Sequence, residues 1–71
     1  MELSDKEKKL LEDQLKAEYI CMSKYKLYSE QAGDPQIKNI FNLVYQQEVQ
    51  HAETLKSLLE QGGFSPPTPI S

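Results

Sequence analysis

Seventy-one residues with a single cysteine, Cys21, make one small domain with no intrachain disulfide. A chain this short draws roughly 3–5 kcal/mol from its own core, so a metal, a partner chain or both must add to it. A net charge of −3, a pI near 5.0 and the lack of a basic patch argue against a nucleic-acid partner. No apolar run approaches the roughly 20 residues of a membrane span, and Met1-Glu2-Leu3-Ser4-Asp5 carries no signal-peptide core. The lone thiol is compatible with a reducing compartment, and the expected setting is the cytoplasm.

Ser4-Asp5-Lys6-Glu7 fits a capping box, with Ser4 and Glu7 each satisfying the other's backbone N–H. From Asp5 to Ala32 there is neither glycine nor proline, which predicts a first helix over about 5–32. Gly33 offers a C′ position tolerant of positive φ, and Asp34-Pro35 offers an N-cap followed by proline in the first helical position. One helix therefore stops and another starts within a few residues, which favours an antiparallel hairpin. The second helix is expected over about 35–61, with Gly62-Gly63 ending it. Residues 1–63 form the hairpin unit. Residues 64–71, with Pro66, Pro67 and Pro69, read as a flexible extended tail that could touch a coat or shell partner. The capped start and proline-rich end are those expected of a natural unit.

Two stripes step by three and four residues. In the first helix they are Leu11, Leu15, Glu18, Met22, Tyr25, Ser29 and Ala32; in the second, Ile37, Phe41, Val44, Glu48, His51, Leu55 and Leu58. Leu10, Ala17, Cys21 and Tyr28 widen the first stripe, and Ile40, Leu43, Ala52 and Leu59 widen the second. That width suits a bundle of about four helices, so two helices per chain imply at least a homodimer.

Three polar residues interrupt these stripes. Glu18 lies 15 residues before Gly33 and Glu48 lies 15 after it, so in a hairpin both stand roughly 22 Å from the turn. His51 follows Glu48 by three residues and shares its side of the helix. Carboxylate oxygen with imidazole nitrogen suits iron, zinc or manganese. A two-fold dimer would pool four carboxylates and two imidazoles, and two divalent cations would cancel the four negative charges. Glu-x-x-His on two helices with a glutamate from each of two others is the ligand pattern of carboxylate-bridged di-metal bundles. The plainer alternative is a glutamate–histidine cluster that fixes helix register. Tyr25, Tyr28 and Tyr45 read first as packing residues. Tyr45, one turn before Glu48, is placed to line the site or donate a hydrogen bond. Gln14 and Gln47 flank the ligands as hydrogen-bonding candidates. Tyr19 falls off the stripe and is given no role, and Cys21 reads as a small buried residue rather than a thiolate ligand. Charges around Lys6–Glu12 and at Glu53, Lys56 and Glu60 are expected to pair on solvated faces.

With Glu18 and Glu48-Val49-Gln50-His51 on one hairpin, the chain resembles half of a ferritin-like bundle over about residues 4–61. It is similar to the encapsulated ferritins, whose paired hairpins complete a ferroxidase centre between subunits. The run Tyr25–Gln36 and the helix from Ile37 to His51 also resemble small spore-coat proteins of the same superfamily. The resemblance implies an all-α hairpin that dimerises into a four-helix bundle. It also implies two iron ions per dimer on Glu18, Glu48 and His51, with zinc or manganese as other occupants, and Tyr25 close to the metals. Ferroxidase activity with Fe(II) and oxygen is the implied chemistry, and Glu18, Glu48 and His51 are the implied catalytic residues. A larger ring of dimers, or a place inside a spore coat or protein shell, follows from the same likeness. The alternative it leaves is a structural coat or assembly protein with structural metal or none.

Overall fold

The chain enters its first helix through the capping box. Ser4 Oγ accepts from the Glu7 N–H and Glu7 Oε1 accepts from the Ser4 N–H, both at 3.0 Å. A computed structural model describes residues 1–69. Helix α1 runs Asp5–Gln31 and helix α2 runs Pro35–Gln61, each 27 residues long, and the described residues contain no strand. Asp34 caps α2 by accepting from Gln36 N at 2.7 Å and Ile37 N at 3.3 Å, with Pro35 directly after it. The link of residues 32–34 is too short for anything but a tight reversal, so the helices pack antiparallel into a rod of 46 × 19 × 16 Å.

The two helix ends differ from what glycine placement predicts. Gly33 does not take up positive φ; α1 leaves through Ala32 in extended backbone at φ −67°, ψ 126°. The left-handed glycine is Gly63, at φ 86°. There the chain forms a Schellman turn: Gly63 N donates to Glu60 O and Phe64 N to Leu59 O, both at 3.0 Å. The turn aims Phe64 back at the core, where it packs against the cluster around Leu59. Gly62 makes room for a different contact. A Cβ there would stand 2.5 Å from Leu3 Cδ1, so the glycine lets the N-terminal segment close over the end of α2.

Leu15 and Leu59 are fully buried and Ala52 nearly so. Leu3, Leu11, Tyr19, Met22, Leu55 and Phe64 pack around them. This core lies in the half of the hairpin remote from the turn. It is completed by the segment read from the sequence as a flexible tail: Tyr19 Oη donates to Pro67 O at 3.0 Å, and the Lys8 ammonium sits 4.7 Å from the Phe64 ring centre. Nearer the turn, the rings of Tyr25, Tyr28 and Phe41 contact one another with centroids 5.4–6.3 Å apart. Surface charges pair as expected, as in Lys9–Asp13 at 2.8 Å and Lys56–Glu53 at 3.5 Å. No described helix is long and apolar enough to cross a membrane.

The stripe of α1 largely turns inward, burying Leu15, Glu18 and Ser29. That of α2 does not. Its buried residues are Ala52 and Leu59, while Ile37 and His51 are exposed. The physical reason is that the line of contact inside one hairpin runs beside the stripe, so part of the stripe remains uncovered.

Candidate metal centre

Glu18 reaches the site from the middle of α1, and Glu48 and His51 from consecutive turns of α2. The short link sets the helices in register, and the equal separation of Glu18 and Glu48 from the turn brings them level. One ligand atom from each of the three residues falls within 4.8 Å of the others. His51 Nδ1 is the common neighbour, 3.6 Å from Glu48 Oε1 and 3.9 Å from Glu18 Oε2. With metal–ligand bonds of about 2.0–2.2 Å, two donors on one ion stand at most about 4.4 Å apart, and both histidine distances lie inside that limit.

Burial of the three residues is graded. Glu18 is 8 % exposed, Glu48 is half-buried and His51 is exposed. The deepest of them is thus a carboxylate, the group that most needs compensation. Glu18 Oε1 accepts from Gln14 Nε2 at 2.8 Å, while Oε2 is buried with no hydrogen-bond partner. A buried carboxylate oxygen without a donor calls for a proton or a cation. Glu48 shows the same need from the other side. The close pairing of its carboxyl group with that of Glu18, loss of hydration and the nearby Glu18 charge raise its pKa above the ordinary carboxylate range, and His51 pulls only partly the other way. A divalent cation beside the two carboxyl groups would serve both, and the donor set, two carboxylates and an imidazole nitrogen, fits iron, zinc or manganese.

Of the supporting residues named from the sequence, Tyr25 lies in the Tyr28–Phe41 aromatic cluster, and Tyr45 is half-buried one turn before Glu48. The hydrogen bond to Glu18 comes from Gln14 and not from a tyrosine. Cys21 is half-buried and free. Sequence reasoning gave Tyr19 no role, yet it ties the tail to α1; its partner Pro67 is 48 residues away, and no local pattern signals such a contact.

The hairpin thus sets two carboxylates and a histidine level with one another in its middle. The sequence matches the Rubrerythrin family over residues 9–67, and the chain belongs to that family, whose ferritin-like domains bind iron at a di-iron site. No curated protein and no solved structure matches it.

Proposed function

We propose that two copies of the chain pair through the face bearing Glu18, Glu48 and His51, hold two iron ions between them, and oxidise Fe(II) with dioxygen in the cytoplasm. The observation that carries this reading is Glu18 Oε2, buried, unpartnered and 3.9 Å from a histidine nitrogen. Among the described residues one chain brings three ligand residues together and leaves His51 open. Its ligand face is also apolar and wet: Leu10, Tyr28, Ile37 and Ile40 are 39–58 % exposed and fall on the side of their helices that carries the ligands. A second copy related by a two-fold axis would cover those residues and bring two glutamates and a histidine of its own.

In this arrangement Glu18 and Glu48 from both chains supply four negative charges to balance two divalent cations. His51 serves as a neutral nitrogen donor through Nδ1. A cation at Glu48 competes with the proton that its raised pKa helps to hold. Bound iron supplies the electrons that dioxygen takes up. Covering the apolar face keeps bulk water from the carboxylates and strengthens their hold on cations.

Anaerobic apoprotein mixed with Fe(II) and then exposed to air tests the reading. The expected result is a near-ultraviolet rise well above buffer that disappears in Glu48→Ala. A rise equal to buffer, or one unchanged in the variant, rejects it.

A second reading has its own support. Ile20 and Leu27 are exposed on the side of α1 away from Glu18, where the metal-site dimer would not cover them. They favour further contacts between copies, as in a ring of dimers or a coat layer. Metal content by mass spectrometry, with assembly mass measured with and without chelator, separates the readings. A metal-free assembly indifferent to chelator supports a structural role.

A further inference from the structure

Gln14 precedes Glu18 by four residues and shares its side of α1. Its amide donates to Glu18 Oε1 at 2.8 Å. The oxygen facing His51 Nδ1 is the other one, Oε2, and it is the oxygen that is buried without a partner. The two oxygens of one carboxylate therefore stand in different surroundings, one held by an amide and one left open toward the neighbouring ligands. We propose that Gln14 is a positioning residue that fixes Glu18 as a one-oxygen ligand, presenting Oε2 to a divalent cation while the amide holds Oε1. This deepens the metal-binding reading above and rests on it.

Three chemical points support the assignment. First, rotation about the terminal bond of a glutamate is soft, so an unheld carboxylate can swing and grip a cation with both oxygens. A hydrogen bond to one oxygen restricts that swing. Second, an ionised carboxylate only accepts, so the amide must present its NH₂ end to Glu18, which fixes the orientation of Gln14 as well. Third, the donor is neutral. A glutamate at position 14 would remove the donor and add a negative charge, and a lysine would place a positive charge beside a cation site. Glutamine orients Glu18 and leaves the balance of four carboxylates against two divalent cations undisturbed. Outer hydrogen-bond partners of this kind are a general device for orienting metal ligands.

The test is calorimetric titration of full-length wild type, Gln14→Met and Gln14→Ala with Mn²⁺ alone. Infrared difference spectra of metal binding and thermal melts of the metal-free proteins accompany it. Methionine keeps the length of glutamine, and both methionine and alanine are good helix formers, so the metal-free melts should change little. The expected result is a loss of about 10–100-fold in Mn²⁺ affinity in both variants. The carboxylate bands should move from the widely split pair of one-oxygen ligation toward the narrower pair of two-oxygen ligation. Gln14→Ala carries the test if Gln14→Met proves unstable. Should wild type bind while the variants bind equally tightly with unchanged bands, the role of Gln14 is overturned and the metal site stands. Should wild type take up no Mn²⁺, the metal reading fails and this inference fails with it.

Discussion

The half of the hairpin remote from the turn closes on itself, whereas the face that carries the ligands does not. At the closed end Leu15 and Leu59 have no exposed surface, Leu3 lies over Gly62, and Phe64 is folded in by the Schellman turn. On the ligand face Leu10 is 58 % and Ile40 53 % exposed, and a buried carboxylate oxygen has no partner. The closed end solves its packing with residues of one chain. The open face presents the same kinds of apolar side chain without a cover, together with half of a ligand set. On the proposed function the two regions have separate tasks: one makes the hairpin, and the other takes a second copy and a cation.

The largest expected effect falls on the open face. In the proposed dimer Ile40→Lys would replace an apolar contact in both copies, each burial being worth about 1.5–3 kcal/mol. Dimer dissociation measured by analytical ultracentrifugation should weaken by at least 100-fold, with the helix content of the separated chains retained. An unchanged dimer would show that this face is not the interface.

Next comes the closed end. Leu59→Ala would open a cavity where Phe64, Ala52 and Leu15 meet. It should destabilise the fold by about 2–5 kcal/mol in denaturant unfolding. Metal binding by the fraction still folded should persist, because Leu59 lies two turns past His51. If both mutations lowered the same property by the same amount, the division into two regions would collapse.

Legibility from sequence follows the same division. Approximate helix limits, the N-caps at Ser4 and Asp34 and the level of Glu18 with Glu48 and His51 were readable, because each depends on local chemistry or on counting residues from the turn. The α1 limit moved by one residue, from 32 to Gln31, and the glycine with positive φ proved to be Gly63 rather than Gly33. A three-residue link can turn through extended backbone, whereas the Schellman turn requires a left-handed residue. The stripe of α2 was a good guide to which residues are apolar but a poor guide to which are buried. Ala52 and Leu59 lie inside one hairpin, and His51 remains outside it. Periodicity reports the sum of all surfaces a helix covers, within the chain and beyond it. The contact of Tyr19 with Pro67 was not legible at all, since it joins distant segments.

That contact gives the third prediction. Tyr19→Phe keeps the ring against the core and removes the donor to the Pro67 carbonyl. A loss of about 0.5–1.5 kcal/mol is expected, together with faster amide exchange or proteolysis after Phe64. Iron oxidation should be untouched, since Tyr19 belongs to the closed region. A change in the oxidation rate with no change at the tail would move Tyr19 to the other side of the comparison.

The smallest effect is in pH dependence, because it comes from one group whose causes partly oppose each other. Glu48 in the metal-free fold has its pKa raised by the close pairing of its carboxyl group with that of Glu18, by lost hydration and by the Glu18 charge, with His51 acting against them. A raised carboxyl pKa means that the folded state binds the proton more tightly than the unfolded chain does. Its stabilising contribution is complete below the ordinary carboxylate pKa and is lost as pH climbs through the raised value. Metal-free wild type should therefore lose melting temperature across that window relative to Glu48→Gln, which has no proton to release there. With Mn²⁺ present the sign reverses. The cation competes with the same proton, so binding tightens as pH rises and the stabilisation it brings grows. Opposite slopes with and without metal, both flattened in Glu48→Gln, would place proton and cation at one carboxylate. Parallel slopes would separate the titrating group from the cation and leave the open face an interface without a metal centre.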